Sequence, residues 1–478
     1  MLNILELEGG RRAERVFCFF EEISRIPHGS GNTAAIADYL VAFAKERGLY
    51  SVRDGANNVI IRKPATEGYE ARPTVILQGH TDMVADATAE SGKDLTCDAL
   101  DLYVDGDFLR AKGTTLGGDD GIAVAYALAI LDSSDIPHPE IEAVFTSDEE
   151  IGLLGATALD TSELRGRIMI NIDSEEEGIF TVGCAGGVRM DITLPMQAED
   201  TPTEAALLRV SGLAGGHSGI EIDKSRGNAI KILGELLDAV LKETGDLRIA
   251  SISGGNADNA IPRSAECLLD RKYADAARRA IAVVTEKYRE VEPCMNITCE
   301  DAEPARLYTP ESSQGLISLI SKEPSGVIAM SEDIEGLVET SLNLGIVESN
   351  EACAVLSFSL RSAKGASKKE LAERVELIAR EHGATCSSRG DYPAWEYRKD
   401  SHLREVMCDV FRDMYGRDAQ VVTIHAGLEC GIFSDKIEGL DCVSIGPDSH
   451  DIHTTEEHLS ISSAIRVWEY LKEVLKRV

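Results

Sequence analysis

The residues 75-VILQGHTD-82 join an apolar run to a histidine and an aspartate that stand two positions apart. A short apolar run of this kind is typical of a buried β-strand. Residues two apart in extended chain point to the same face, so Asp82 can accept a hydrogen bond from the His80 ring nitrogen that does not bind metal. An ordinary hydrogen-bonded pair in a core has the same pattern. The stretch alone predicts a strand, and it predicts a metal site only if further ligands lie nearby.

Three further segments place acidic residues beside predicted strands and helices. Glycines surround Asp119 and Asp120 in 113-GTTLGGDDG-121, three consecutive acids follow a strand in 145-FTSDEEIG-152, and 171-NID-173 ends the next strand. Adjacent carboxylates repel one another and persist when they are fully solvated or neutralised by a cation. These segments therefore predict either solvated capping loops or a cation site.

A group of histidines, His450, His453 and His458, follows the last strand pattern at 442–445. Open α/β sheets bind ligands beyond the carboxyl ends of their strands, so one assumption brings all these segments to one edge. The predicted cluster consists of His80, Asp119, Glu150, Asp173 and one C-terminal histidine. Two histidines and three carboxylates suit two zinc-like ions that share one carboxylate.

The order of helix and strand patterns predicts two domains. The patterns alternate over the first 180 residues and again over the last ninety, which indicates one α/β sheet. From about residue 207 the order is strand, helix, strand, strand, helix, strand, that of a ferredoxin-like unit, and a second, incomplete version follows up to 391. We therefore predict a mixed sheet flanked by helices at 1–185 and 392–478, interrupted by an α+β ferredoxin-like lid at 186–391.

Composition limits the classes of partner. The 478 residues include 48 basic and 82 acidic ones, a net charge of −34, which repels phosphate backbones and anionic lipids. We therefore expect neither nucleic acid nor a membrane as partner. The eleven cysteines form no CxxC pair, which favours free thiols in a reducing compartment. The first residues do not resemble an export signal, and we expect a cytoplasmic protein.

The ordered motifs of the chain resemble the aminoacyl-histidine dipeptidases, also called peptidase D or bacterial carnosinase-like enzymes. These are zinc-dependent exopeptidases in which a lid interrupts the catalytic domain. The motifs that carry the resemblance are GHTDMV, TTLGGDDGIAVA, FTSDEEIGL, NIDSEEEG, GGHSG, GGNADNAIPR, SFSLRS, HAGLEC, and SIGP followed by a histidine. The match runs nearly from end to end, and the ordered series is far more specific than any single motif.

The resemblance implies how the ligands are shared. His80, Asp119 and Asp173 serve one metal ion, and Asp119, Glu150 and His453 serve the other, with Asp119 as the bridging carboxylate. The expected cofactors are two divalent ions, with Zn²⁺ preferred and Co²⁺ or Mn²⁺ as alternatives.

Two residues depart from the family pattern. Asp120 stands where related dipeptidases often have asparagine, which bears on local charge and metal preference. Ile452 stands where they often have proline, which leaves the choice of His453 over its two neighbouring histidines open. The family also has a cis peptide after the bridging aspartate, here between Asp119 and Asp120.

The resemblance implies a hydrolytic mechanism. Glu149 matches the general base, which takes a proton from the attacking water, and Asp82 matches the partner of His80. Two cations a few ångströms apart can hold a hydroxide and polarise the scissile carbonyl. The oxyanion formed needs a further donor, and in the family this is His217 of the lid.

The resemblance also assigns substrate contacts. Asn259 and Arg361 match lid residues that hold the terminal carboxylate of the substrate, and Glu429 matches a rim residue that we assign to the substrate amine. A lid that brings His217 to the metals implies an open-to-closed motion. Related proteins with simple lids form homodimers through them, whereas an enlarged lid replaces that contact within one chain, and the sequence leaves both arrangements open.

The sequence thus predicts a metal-dependent dipeptidase that cleaves Xaa-His and other small unblocked dipeptides. The alternatives are an N-acyl amino acid hydrolase or a tripeptidase with the same site, and a noncatalytic metal-binding or peptide-binding protein. The presence of Glu149 beside the ligands argues against pure binding. A two-metal phosphoesterase would need a basic phosphate cradle, which the sequence lacks.

Overall fold

The structure is a computed structural model and describes residues 10–332 and 334–478, so positions 1–9 of the predicted first domain lie outside the described residues. The chain divides into two compact units. Unit 1 contains the described part of Met1–Gly183 together with Tyr397–Thr423 and Leu428–Val478, and unit 2 contains Cys184–Glu396 and Ile424–Gly427.

The observed boundaries differ by a few residues from the predicted ones at 185 and 392. Residues 392–396 group with unit 2, where Trp395 pairs with Cys184 in a β-bridge. Residues 424–427 also group with unit 2, where the ring of His425 hydrogen-bonds to Ser341. Each of these two segments is short and is held in unit 2 by contacts of this kind. Such contacts leave no periodic pattern in the sequence.

The helices and strands follow one another in three stretches of the chain. The first contains α1 (Glu14–Ile23), α2 (Ala34–Glu46), β1 (Tyr50–Arg53), β2 (Val59–Lys63), β3 (Val75–His80), β4 (Leu102–Asp105), β5 (Phe108–Ala111), α3 (Gly118–Asp132), β6 (Ile141–Thr146), α4 (Leu154–Ala158), β7 (Ile168–Asn171) and β8 (Ile179–Cys184).

The second stretch contains β9 (Gly186–Pro195), β10 (Ala198–Ser211), β11 (Gly216–His217), α5 (Ala229–Thr244), β12 (Ile249–Gly254), β13 (Ala260–Ile261), β14 (Ala265–Asp270), α6 (Ala274–Tyr288), β15 (Asn296–Tyr308), α7 (Pro310–Lys322), β16 (Gly326–Met330), β17 (Val338–Ser349), β18 (Cys353–Ser362), α8 (Gly365–Glu381) and β19 (Thr385–Tyr392). The third contains α9 (His402–Tyr415), β20 (Gln420–Ile424), α10 (Glu429–Lys436), β21 (Asp441–Ser444), β22 (Ser449–His450), β23 (His458–Ser460) and α11 (Ile461–Arg477).

The large sheet of unit 1 has the strand order β1-β2-β6-β3-β7-β21-β8-β20. Its four central strands, β6, β3, β7 and β21, run parallel to one another. Their carboxyl ends consequently meet at one edge, which is where an open α/β sheet binds its ligands. The predicted mixed sheet flanked by helices is confirmed.

Helix α3, which carries Asp119, is packed in the core of unit 1. It is formed by the longest apolar stretch of the sequence and is buried along nearly its whole length. The ring of Tyr126 stacks on Trp468 of α11, with ring centroids 5.9 Å apart, and its hydroxyl donates to the carbonyl of Ala464. Burying one such large side chain contributes about 1.5–3 kcal/mol. The helix that begins beside Asp119 is therefore firmly packed in the core.

Unit 2 contains one long antiparallel sheet with the order β15-β10-β14-β12-β17-β18-β9-β19. The strands β10, β12, β14 and β15 with α5 and α6 form the predicted ferredoxin-like unit. The strands β9, β17, β18 and β19 with α7 and α8 repeat the same neighbour order and form a second, complete one. The two halves join where β12 pairs with β17 through Ser253 opposite Glu348 and Gly254 opposite Val347.

The second half is complete because its first strand, β9, lies ahead of the first half in the sequence. Strand β9 ends at Pro195, all elements of the first half follow it in the sequence, and α7 of the second half begins only after them. The N–H of Thr309 donates to the carbonyl of Gln197 at 2.8 Å, so the entry and exit of the first half lie side by side. The prediction of an incomplete second unit was wrong in this respect, because one strand of that unit, β9, precedes the first half in the chain.

The sequence predicts that the described residues contain neither a membrane-spanning helix nor a disulfide. No described helix is both long and apolar enough to cross a bilayer. All eleven cysteines lie among the described residues, and none of them forms a disulfide.

Candidate metal centre

Each of the five predicted ligands lies at the carboxyl edge of the unit 1 sheet. His80 is the last residue of β3, Glu150 follows β6, and Asp173 follows β7. Asp119 is the second residue of α3, and His453 lies between β22 and β23. The four neighbouring parallel strands explain why segments from distant parts of the sequence converge here.

The first group of ligand atoms surrounds His80. Its Nε2 lies 2.9 Å from Oδ1 of Asp119 and 3.6 Å from Oδ1 of Asp173. One ligand atom from each of these three residues lies within 4.8 Å of those of the other two. One imidazole nitrogen and two carboxylate oxygens at these separations can hold one divalent ion.

The second group uses the other oxygen of Asp119. Nε2 of His453 lies 3.2 Å from Oδ2 of Asp119 and 3.0 Å from Oε1 of Glu150. These three residues also have ligand atoms within 4.8 Å of one another. Asp119 thus presents one oxygen to each group, as a bridging carboxylate must.

The structure separates His453 from its two neighbours in sequence. The rings of His450 and His458 lie 5.1 Å apart, and both pack against Phe108. Neither belongs to any candidate metal-binding group of the described residues, whereas His453 does.

The carboxylates of the centre raise the pKa of both ligand histidines. Although burial opposes it, hydrogen bonds to Asp119 and Asp173 raise the pKa of His80 well above its usual value. Hydrogen bonds to Asp119 and Glu150 raise the pKa of His453 to about 10. The carboxylates around His80 and His453 therefore favour positive charge at this position, which divalent cations would supply.

The carboxylates respond to the same field. Burial raises the pKa of Asp119, but hydrogen bonds from His453 and His80 outweigh it and hold that pKa below the ordinary range. Burial raises the pKa of Asp173 to about 6 despite a hydrogen bond from His80. The donor set of two imidazoles and three carboxylates therefore fits a pair of divalent ions.

Asp82 positions a loop as well as a histidine. Nδ1 of His80 lies 2.9 Å from the backbone carbonyl oxygen of Asp82 and 3.6 Å from its carboxylate. The carboxylate accepts hydrogen bonds from the N–H groups of Glu149 and Glu150 and from the hydroxyl of Ser30. The expected partner of His80 thus acts on the ring mainly through its carbonyl, while its carboxylate fixes the loop that carries the predicted base.

Glu149 lies beside both ligand groups. One of its oxygens is within 4.8 Å of ligand atoms of His80 and Glu150. Burial raises the pKa of Glu149 well above its usual value, the charge of His80 lowers it, and the carboxylates of Asp173 and Glu429 raise it further. The side chain can therefore hold and release a proton at the edge of the centre.

Asp120 lies behind the ligands. The peptide bond between Asp119 and Asp120 is cis, as the resemblance implies. The carboxylate of Asp120 is buried and accepts a hydrogen bond from the N–H of His80 at 3.1 Å. Burial and the nearby charge of Asp173 raise the pKa of Asp120 well above its usual value. An aspartate is thus accommodated at this position as a hydrogen-bond acceptor for His80.

Glu429 is fully buried in unit 1 and keeps one oxygen free. Its Oε2 accepts hydrogen bonds from Nε2 of Gln78 and Oγ1 of Thr146, both at 2.6 Å. Its Oε1 has no hydrogen-bond partner among the described residues. Burial raises its pKa to about 7, although the charge of His80 opposes this.

Unit 2 carries His217 in a defined tautomer. Its Nδ1 accepts hydrogen bonds from the N–H groups of Gly219 and Ile220, at 3.1 and 3.2 Å. A neutral ring that accepts at Nδ1 carries its hydrogen on Nε2. Burial and the charge of Arg361 lower the pKa of His217, which favours this neutral donor. The sequence could not reveal the tautomer, because it depends on the turn that follows the histidine.

The other predicted residues of unit 2 have distinct surroundings. Nη1 of Arg361 donates to the hydroxyl of Tyr392 at 3.2 Å, and the buried Nε of Arg361 has no hydrogen-bond partner among the described residues. The carbonyl of Asn259 accepts the N–H of Ser218 at 2.8 Å, in the turn after His217.

His425, in the motif HAGLEC, also lies in unit 2. Its Nε2 is 2.7 Å from the hydroxyl oxygen of Ser341, the residue opposite Arg361 in the β17–β18 pair. Burial and the charge of Arg361 lower the pKa of His425 to about 4. Because its pKa is low, the ring of His425 adds no second positive charge beside Arg361.

The chain is similar to known proteins in sequence and in structure. The family model described as Peptidase family M20/M25/M40 matches residues 76–477. The cytosol non-specific dipeptidase of Escherichia coli (strain K12) is 35% identical over 474 residues, which are 96% of this chain and 96% of that protein.

Two solved structures are also similar to this chain. Aminoacylhistidine dipeptidase from Vibrio alginolyticus is similar with a TM-score of 0.91 and 35% identity, covering 97% of this chain and 96% of that one. Aminopeptidase PepT from Bacillus cereus ATCC 10987, at 16% identity and a TM-score of 0.55, covers 97% of this chain and 98% of its own and shows a similar fold.

Proposed function

The chain belongs to peptidase family M20/M25/M40, and we propose that it is a metal-dependent dipeptidase that hydrolyses Xaa-His and other small unblocked dipeptides. The observation that carries the proposal is the carboxylate of Asp119, which offers one oxygen to His80 and the other to His453. Two relatives that are 35% identical over nearly the whole chain are named as dipeptidases, one of them for aminoacylhistidine substrates.

The ligand groups would hold two divalent ions. His80, Asp119 and Asp173 form the first site, and Asp119, Glu150 and His453 form the second. When bound, the ions polarise the scissile carbonyl and lower the pKa of a bound water. Mixed imidazole and carboxylate donors suit Zn²⁺, with Co²⁺ and Mn²⁺ as the alternatives that metal analysis would distinguish.

Glu149 acts as the general base in this proposal. It takes a proton from the attacking water and delivers it to the leaving amine. Its burial supports this role, because a carboxylate with a raised pKa retains the proton between the two transfers. Hydrogen bonds from the loop to Asp82 hold Glu149 in place.

We assign the remaining predicted residues to the substrate. His217 donates from Nε2 to the oxyanion, since its Nδ1 is already occupied by two backbone N–H groups. Arg361 and Asn259 bind the terminal carboxylate, and the unpartnered Nε of Arg361 supports this assignment. Glu429 binds the substrate amine through its free Oε1.

We also propose a cytoplasmic location. It is supported by the lack of disulfides among the eleven described cysteines and by the similarity to the cytosol non-specific dipeptidase of Escherichia coli. A homodimer through unit 2 stays a hypothesis. The pairing of β12 with β17 already joins two ferredoxin-like halves within one chain, which favours the monomer. Light scattering after size-exclusion chromatography would measure the mass in solution.

A substrate panel tests the proposed activity. The panel contains Ala-His, β-Ala-His, N-acetyl-His and Ala-Ala-His, each with and without a chelator. We expect chelator-sensitive release of histidine from Ala-His and slow or no reaction of the blocked and the longer substrate. Preferential cleavage of N-acetyl-His would identify an acyl hydrolase, and preferential cleavage of Ala-Ala-His a tripeptidase. Binding without turnover of any of the four would overturn the proposal.

A further inference from the structure

One buried glutamate outside the predicted site receives four backbone hydrogen bonds. Oε2 of Glu457 accepts the N–H groups of Leu116 and Gly117, at 2.7 and 3.0 Å. Its Oε1 accepts those of Gly118 and Asp119, at 2.8 and 3.3 Å. The side chain is only 3% exposed. The carboxylate thus satisfies four successive N–H groups where α3 begins.

This arrangement is more specific than an ordinary helix cap. A cap residue precedes its helix in sequence and accepts one or two N–H groups, whereas Glu457 follows the start of α3 by more than three hundred residues. The negative charge at the helix N-terminus is favourable in itself. Gly117 has φ of 66°, which glycine adopts without strain and which turns the loop so that its N–H groups converge.

Glu457 also belongs to the segment that supplies the C-terminal ligand. It stands four residues after His453, and its own N–H donates to the carbonyl of Thr454 at 3.1 Å, which closes a turn between them. One side chain therefore connects the loop that ends at Asp119 with the segment that carries His453. These two residues are two of the three ligands of the second site, whereas the first site shares only Asp119.

We propose that Glu457 is a positioning residue that sets the spacing of Asp119 and His453 and thereby the affinity of the second metal site. The inference rests on the proposed metal centre. Loss of the carboxylate frees the loop at 116–119 from the segment that carries His453, so the second site loses its geometry. The first site keeps His80 at the end of β3 and Asp173 just after β7. Partners that orient metal ligands typically change metal affinity by about 10–100-fold when they are removed.

The test is a titration of the chelator-treated full-length protein with Co²⁺ and with Zn²⁺, followed by calorimetry and by the visible absorption of Co²⁺. In the Glu457→Gln variant, one amide NH₂ group faces N–H donors, so at least two of the four hydrogen bonds are lost. We expect one of the two binding constants to fall by about 10–100-fold and the other to change by less than about threefold. The constant that disappears in His453→Ala identifies the second site.

Glu142 provides a matched control in the same unit. It is fully buried and accepts the N–H groups of Arg165 and Gly166 near the opposite end of β6 from the metal edge. Glu142→Gln therefore removes a buried carboxylate that accepts backbone N–H groups and, in addition, its ion pair with Arg62. We expect it to lower the unfolding temperature of the metal-free protein without changing either binding constant. A loss of stability in Glu457→Gln with both constants unchanged would overturn the inference.

A milder variant covers the case in which Glu457→Gln does not fold. A methyl group added at Gly118 would lie 3.2 Å from Oε1 of Glu457 and displace the carboxylate slightly. Gly118→Ala should weaken the same site to a smaller extent, and unchanged binding there would also count against the inference. If the unaltered protein binds no pair of ions, the proposed function itself fails. If it does and the variants match it, only the role of Glu457 fails.

Discussion

Nε2 of His453 lies 3.2 Å from Oδ2 of Asp119, the oxygen that does not face His80. This relationship predicts that the two sites can be emptied separately. His453→Ala should bind one equivalent of Zn²⁺ after dialysis where the unaltered protein binds two, because the first site keeps all three of its ligands. Metal content measured by mass spectrometry gives the stoichiometry.

His450→Ala is the control for this experiment. His450 is exposed and packs against Phe108 and His458, outside both ligand groups. The control should retain two equivalents. Two equivalents in His453→Ala, or one in His450→Ala, would show that the C-terminal ligand is assigned to the wrong histidine.

Glu149→Gln should keep its metal and lose most of its turnover. The amide has nearly the shape of the carboxylate but cannot take a proton from water, and general-base catalysis typically contributes about 10²–10⁴-fold. We expect kcat for Ala-His to fall within that range at unchanged metal content. Glu46→Gln on α2, where the side chain is exposed, should leave kcat unchanged. Full activity of Glu149→Gln would remove it from the mechanism.

Arg361→Met should discriminate between substrates by their carboxyl terminus. If the guanidinium binds the terminal carboxylate, kcat/KM for Ala-His should fall by about 30–5000-fold, which corresponds to the cost of truncating one partner of a desolvated charge pair. For the amide of Ala-His, which carries no terminal charge, the two proteins should differ far less. Arg209→Met on β10, half exposed and paired with Glu266, serves as the control. Equal losses on both substrates would assign a purely structural role to Arg361.

Glu323→Gln should change how the stability of unit 2 depends on pH. Burial raises the pKa of Glu323 from 4.5 to about 8, and neither carboxylate oxygen has a hydrogen-bond partner among the described residues. A carboxyl whose pKa is higher in the folded state stabilises the fold below the unfolded pKa, and this contribution is lost as pH rises from about 4.5 to about 8.

The glutamine variant does not titrate, so its stability relative to the unaltered protein should rise between pH 5 and pH 9. We expect it to be more stable at pH 9 by about 1–3 kcal/mol, the usual cost of an unpartnered buried polar group. Urea unfolding at pH 5, 7 and 9 measures the difference. Glu311→Gln at the exposed start of α7 should show none of it. A constant difference at all three pH values would contradict the assigned pKa.

The ordered motifs were sufficient to identify the family, which the family model and the 35% identity over most of the chain confirm. The edge of the sheet could also be predicted, because apolar runs such as 75–80 and 141–146 form parallel neighbours and end together. Local pattern carries this information, since the period of a strand and the residue that follows it are both visible in the sequence.

The features of the site that the sequence did not predict depend on contacts that no local sequence pattern shows. The hydrogen bonds from the loop at 116–119 to Glu457 join positions more than three hundred residues apart. The tautomer of His217 depends on two N–H groups in the following turn, and the free oxygen of Glu429 depends on what Gln78 and Thr146 leave unbound. Neither periodicity nor composition records such contacts. Position in a motif could suggest these residues, but only coordinates give their hydrogen bonds.

The strand β9 gives the chain a nested order of assembly. The first ferredoxin-like half pairs residues that are closer in sequence than those that β9 pairs with on β18 and β19, two strands that follow the whole first half in the chain. Contacts between nearby residues form sooner than distant ones because less chain entropy is lost in closing the loop. The first ferredoxin-like half can therefore fold first and bring Gln197 beside Thr309. The second half then folds from strands that lie on both sides of the first half in the chain.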